Sequence, residues 1–313
     1  MAQPHPASSS QAIGTVTASP LSGASQQPPS LEEAYAYCSA QARRHYENFP
    51  VGSWLLPRHL RPAVHAVYAF ARHADDLADE PEHEGSRLQA LDSWQRHLER
   101  AWSGDASHPT FVALADTLKR YRLPLQPFRD LLTAFRMDAR RTRYDSWEQV
   151  LGYCRYSANP VGRIMLRLFG HEDADCDRFS DYLCTSLQLT NFWQDLSVDL
   201  PRGRCYLPCR DLEREDLAEG DLQSPGTAPA RRRILTVVTD RTHDLYDEAR
   251  PLPARVGGRL SWELRAILAG GERVLEKVVS GTQDPFRSRP RLGWEDALPL
   301  LGAMFVRRRR QTA

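Results

Sequence analysis

From Leu31 onward, apolar side chains return every three or four residues between short breaks of Pro, Gly and polar residues, and alternating strand-like patterns are scarce. That spacing lines one side of an α-helix and cannot line one side of a strand, so the chain is expected to be all-α. Helices are predicted over about 31–48, 58–80, 86–102, 109–121, 125–141, 146–169, 174–200, 229–249, 259–280 and 292–306. Pro160 and Gly162 fall inside the sixth and are expected to kink it, because proline removes a helical hydrogen bond. A length of 313 residues with 41% hydrophobic content is ample for a core, and fits one large helical unit as well as two domains.

The two ends read differently from the body. Residues 1–30 carry no Lys, Arg, Asp, Glu or aromatic residue and are expected to be a disordered leader, with neither the basic start of a secretion signal nor the arginines of a transit peptide. At the other end Arg307–Arg310 begin a basic tail, 307–313, after the apolar stretch Leu298–Val306. A solvated helix end and a contact with anionic lipid both fit that pairing. Lys plus Arg total 41 against 40 Asp plus Glu, so the broad basic field of a nucleic-acid binder is missing and no nucleic-acid partner is expected. Six cysteines without a Cys-x-x-Cys pair point to a reduced, cytoplasmic chain. No apolar run approaches the roughly 18 residues of a membrane span, which leaves peripheral contact at the inner membrane face as the one membrane role to consider.

Chemistry concentrates on two acidic helix faces. Aspartates four apart stand one above another on a helix and can share a divalent ion. Five pairs have the spacing: Asp75/Asp79, Asp173/Asp177, Asp177/Asp181, Asp195/Asp199 and Asp240/Asp244. Context selects two. In the first, Tyr68, Arg72, Asp75 and Asp79 form one stripe at the end of an otherwise apolar helix. In the second, Gln188, Asn191, Asp195 and Asp199 step by three, four and four along one face. Hard oxygen ligands of this kind suit Mg²⁺, which keeps waters or phosphate oxygens in its remaining positions.

Two such stripes facing each other across an apolar bundle would grip a diphosphate through Mg²⁺ while greasy walls hold a hydrocarbon tail. Departure of the diphosphate leaves a carbocation that aromatic faces can stabilise, with Phe49, Tyr68, Phe135, Tyr144, Tyr153 and Phe192 as candidates.

Tyr68-x-x-x-Arg72-x-x-Asp75-Asp-x-x-Asp79, with Gln188-Leu-Thr-Asn191-x-x-x-Asp195-x-x-x-Asp199 and Gly203-Arg204-x-Tyr206-x-Pro208, resembles the squalene/phytoene synthase family over roughly residues 31–280. The resemblance implies a single-domain isoprenoid synthase bundle spanning 31–306 with a central apolar cavity. It implies two or three Mg²⁺ ions held by Asp75, Asp79, Asn191, Asp195 and Asp199, the four aspartates being catalytic. It also implies a prenyl diphosphate substrate contacted by His45, Phe49, Tyr68, Arg72, Gln188, Arg202 and Arg204, the two last on a mobile flap. Other enzymes of the squalene pathway are possible partners under this reading.

Gln194 departs from the arginine that condensing members usually carry there, which removes a positive charge beside the metal site and suits a substrate with one diphosphate. His45-Tyr-Glu-Asn-Phe-Pro and Asn191-Phe-Trp-Gln-Asp195 look most like the bacterial hydroxysqualene synthase branch of hopanoid biosynthesis. That branch implies ionisation of presqualene diphosphate and capture by water, without NADPH. Head-to-head condensation of two prenyl diphosphates is the alternative within the family. Chain elongation lacks a doubled aspartate in the second motif, and a hydrolase built on His243-Asp244 lacks further histidine ligands. A non-enzymatic helical protein binding lipid or a partner is the alternative of another class; it would leave the acid stripes outward and unrelated.

Overall fold

The computed structural model describes residues 28–44, 56–140, 143–280 and 283–305. Their regular structure is helical throughout: α1 (Leu31–Arg44), α2 (Arg61–Asp79), α3 (Arg87–Trp102), α4 (Pro109–Arg120), α5 (Gln126–Ala139), α6 (Trp147–Ser157), α7 (Asn159–Leu168), α8 (Ala174–Gln194), α9 (Leu196–Asp199), α10 (Cys209–Glu213), α11 (Ala228–Ala249), α12 (Leu252–Val256), α13 (Gly258–Val279) and α14 (Ala297–Phe305).

Three apolar clusters hold the helices together, two large ones and a small one where α1, α2 and α4 meet through Ala34, Ala66, Ala69 and Ala113. In the first, α2 packs against α1, α3, α4 and α5 around Phe70, Trp94, Phe111 and Phe128. The buried face of α2 is rich in alanine (Ala63, Ala66, Ala69, Ala74, Ala78), which lets its neighbours approach closely, and Phe70 supplies bulk. Trp94 Nε1 donates to the Phe70 carbonyl at 3.3 Å, so the largest ring in this cluster leaves no orphaned donor. The second cluster surrounds α8, packed on α11 and α13 through Trp193, Tyr246 and Leu275. The α7 helix joins the two, with Ile164 and Leu168 in the first and Leu166 in the second.

The predicted helix over 146–169 is split at Ala158–Asn159, where Pro160 sits in the first turn of α7 and its missing N–H costs nothing. Two positions further, a Cβ on Gly162 would collide with Ser180 Oγ and Cys184 Sγ, so α7 lies close against α8 and any side chain there would make those two turn aside. The helix predicted over 174–200 breaks after Gln194. The helix predicted over 292–306 becomes a turn, Trp294–Asp296, followed by α14. Wholly buried Asp296 receives Arg273 at 2.7 Å and Lys277 at 2.5 Å, fixing that turn to α13. The short helices α10 and α12 are absent from the periodicity because five residues are too few to show it.

Candidate active site

The last turns of α2 carry the first acid stripe. Arg72 reaches both Asp75, at 3.2 Å, and Asp76, at 2.6 Å, while Asp79 is paired with Arg204 at 2.6 Å. Tyr68, Arg72 and Asp75 stand in the wall of a cavity of about 220 Å³ that Leu131, Phe135 and Ile164 make apolar. Gln188, Asn191 and Gln194 stand in the wall of a second cavity of about 520 Å³. Val64, Val161 and Met165 line both, so the two chambers share a wall.

The second stripe follows a bend in the helix. At Asp195 the backbone leaves helical geometry (φ −97°, ψ 9°), although the Asp195 N–H still donates to the Asn191 carbonyl and the Asp199 N–H to the Asp195 carbonyl, at 2.9 and 2.8 Å. A tight turn, Leu200–Arg202, ends on Gly203 at φ +72°, a left-handed conformation for which glycine carries no Cβ penalty. The Arg204 N–H then donates back to the Asp199 carbonyl at 3.0 Å. This reversal is what swings the Arg204 guanidinium onto Asp79 and joins the two stripes.

Tyr206, two residues on, seals the turn to the core. Its ring stacks on Phe192 at 3.7 Å with 4° between planes, and Tyr144 and Tyr153 lie 5.8 and 5.9 Å away. Of the aromatic candidates, Tyr68 and Phe135 face the smaller cavity, whereas Tyr144, Tyr153 and Phe192 belong to this stack. Arg202 is exposed, and its charge, like that of Arg204, opposes the upward push of burial on Asp199. His45 and Phe49 lie outside the described residues.

Carboxylates here resist ionisation. Burial, followed by the charge of Asp79, pushes Asp75 up to about 6, and burial with the charge of Asp195 does the same for Asp199. Asp195 is raised by burial against the opposing pull of Arg289 and Arg291. Such groups favour a cation. Among the described residues no three His, Cys, Asp or Glu side chains are assembled as a ready metal cage. Acids arranged in pairs, with an amide oxygen at Asn191, suit ions that complete their shell with water and phosphate, and the donor set therefore fits Mg²⁺.

Two site residues escape the motif reading. Asp138, at the end of α5, accepts a hydrogen bond from Tyr153 at 3.0 Å, and burial together with the charge of Asp79 pushes it up to about 7. A single aspartate carries no spacing signal, so only its position in space marks it. Arg289 comes from an irregular segment after α13 and forms an ion pair with Asp195 Oδ1 at 2.5 Å; that oxygen is shut off from water and accepts no hydrogen bond. Of the discarded acid pairs, those on α8 have other work and the pair on α11 is solvated. Asp173 caps α8, Asp177 and Asp181 pair with Arg167 and Arg163 at 2.6 Å, and Asp240 and Asp244 are exposed.

Residues 42–296, which include both stripes and the turn between them, match the family described as squalene/phytoene synthase. The chain belongs to this family. Members act on prenyl diphosphates, and this enzyme has the helical isoprenoid synthase fold. It is similar to the hydroxysqualene synthase of Rhodopseudomonas palustris, 38% identical over 79% of this chain and 83% of that one. The 15-cis-phytoene synthase of Synechococcus elongatus is 32% identical over 83% of this chain and 88% of that one. Among solved structures, a squalene synthase from Alicyclobacillus acidocaldarius superposes with a TM-score of 0.74 and 43% identity, covering 78% of this chain and 92% of that one.

Proposed function

We propose that this synthase ionises presqualene diphosphate and captures the rearranged cation with water, releasing hydroxysqualene and diphosphate. The observation that carries the reading is the Arg204–Asp79 pair, which draws the two acid stripes to one place beside adjoining apolar chambers. Asp75, Asp79, Asn191, Asp195 and Asp199 would hold two or three Mg²⁺ ions, whose charge neutralises the departing diphosphate. Arg72 and Arg204 add cationic donors at the same place, and Tyr68 and Gln188 border the chambers that take the hydrocarbon. Tyr206, stacked on Phe192, holds the turn closed so that bulk water reaches the cation only in a limited way.

Gln194, where condensing members usually carry arginine, supports one diphosphate over two: Arg289 is already the guanidinium at Asp195, and an arginine at 194 would add a second. The 38% identity to a hydroxysqualene synthase points the same way. Head-to-head condensation of two prenyl diphosphates is the second reading, favoured by the phytoene synthase relative. Purified protein with Mg²⁺ decides between them when given presqualene diphosphate or farnesyl diphosphate, with and without NADPH. Hydroxysqualene from presqualene diphosphate without NADPH is the expected product; consumption of farnesyl diphosphate alone, or squalene formed only with NADPH, overturns the assignment.

The synthase unit is proposed to span 31–306, between the leader and the basic tail, in the cytoplasm. No helix among the described residues is long and apolar enough to cross a membrane. Peripheral contact is proposed through α14 and the turn before it, where Trp294 is 91% and Leu298 81% exposed just ahead of Arg307–Arg310.

A further inference from the structure

Gln194 is nearly buried at the end of α8, and its Nε2 donates to the Pro290 carbonyl at 2.5 Å. Pro290 belongs to residues 284–292, a segment without helix that lies across the junction between α8 and α9. Its own backbone bonds form one turn, the Arg287 and Ser288 N–H groups donating to the Asp284 carbonyl at 2.9 Å, so bonds from outside decide where the stretch beyond that turn lies. At one end Asp284 accepts from Arg231 at 3.2 Å, and the same guanidinium lies 4.9 Å over the buried Phe286 ring. At the other end Lys277 Nζ donates to the Arg291 carbonyl at 3.0 Å. Between them the junction itself makes two bonds: the Ser197 N–H to the Pro285 carbonyl at 2.9 Å, and Gln194 to Pro290. Arg289, which meets Asp195, precedes Pro290, whose carbonyl Gln194 holds, and Arg291, whose charge also bears on Asp195, follows it.

We propose that Gln194 is a positioning residue that sets Arg289 on Asp195 by holding the Pro290 carbonyl, so that this strap and not α8 brings positive charge to the second acid stripe. The inference rests on the reading of Asp195 as part of a metal and diphosphate site. A guanidinium carried on an irregular strap has freedom that one rooted in helix lacks. It can release Asp195 to a metal ion and remain beside an arriving diphosphate. Gln194 thereby couples the occupancy of the two, through Arg289 and without touching either.

The test is Mn²⁺ binding to the full-length protein, followed by electron paramagnetic resonance with and without inorganic diphosphate. The variants are Gln194→Met, Arg289→Gln and the two combined, with Gln194→Leu in place of Met should that variant not fold. Diphosphate is expected to tighten Mn²⁺ binding in the parent protein, and each single substitution is expected to cut that enhancement about tenfold. The double variant should be no worse than Arg289→Gln alone, as for two residues acting through one contact. Multiplying effects, or a normal enhancement in Gln194→Met, overturn the role of Gln194 and leave the proposed function standing. No enhancement in the parent protein overturns both.

Discussion

Arg204, in the turn after α9, meets Asp79, at the end of α2, at 2.6 Å. The pair ties together two elements far apart in sequence, each bringing carboxylates that burial has made reluctant to ionise. Removal of either acid stripe should therefore stop the chemistry without unfolding the protein. Asp79→Ala and Asp195→Ala are each expected to lower turnover by roughly a hundredfold or more, the scale on which a preorganised electrostatic contact acts. Helicity by circular dichroism should be retained, and near-normal rates in both variants would remove these residues from the mechanism.

Asp138, together with Asp75 and Asp199, makes the site pH-sensitive in two opposed ways, and Asp138 acts on stability. Its pKa is raised by burial from 3.8 to about 7. Between those values the folded chain keeps a proton that the unfolded chain has lost, so this group's contribution to stability declines as pH rises through the window. Asp138→Asn is expected to raise the melting temperature at pH 8 and to leave it nearly unchanged below pH 4. Mg²⁺ affinity runs the other way, because Asp75 and Asp199 must lose protons held up to about pH 6. Titrations of Mg²⁺ at pH 5.5 and 7.5 should show weaker binding at the lower pH.

Tyr206 carries the closure of the turn onto the core. Tyr206→Leu removes a stacked ring and about 2 kcal/mol of packing. With the turn loosened, Arg204 loses its fixed approach to Asp79, and KM should rise more than kcat falls. Steady-state kinetics separate the two, and an unchanged KM would show that the stack serves folding alone.

At Gly271 the space for a side chain is already taken. A Cβ there would collide with the Tyr246 hydroxyl and lie 2.8 Å from Leu187 Cδ2 and 2.9 Å from Tyr246 Cζ. Tyr246 is held in place by Thr190 at 2.9 Å, on the helix that carries the second stripe. Gly271→Ala is expected to cost about 1–3 kcal/mol by overpacking. Adding Tyr246→Phe should rescue only part of that loss, since the ring carbon remains. Chemical denaturation of the single and double variants measures both.

The residues on each helix face were legible before any coordinates. Apolar periodicity places α2 and α8, and the spacing of Tyr68, Arg72, Asp75 and Asp79, like that of Gln188, Asn191, Asp195 and Asp199, follows from 3.6 residues per turn. A local signal also marks the disturbance near Pro160, read as a kink and found as a full break between α6 and α7. These are properties of short stretches, governed by backbone sterics and helical pitch, so a linear reading suffices for them.

What met what was decided by packing. The bend at Asp195, the approach of Arg204 to Asp79 and the hold of Gln194 on Pro290 join residues from separate elements, and no spacing rule connects them. Asp138 is an unremarked acid in the sequence and becomes a site residue because α5 carries it to Tyr153 beside the charge of Asp79. Arg289 lies in a segment with no periodicity at all, and its role appears only once the core around Phe286 has placed the strap. Burial sets the ionisation of these groups, and burial is a property of the assembled helices and not of the order of residues along the chain.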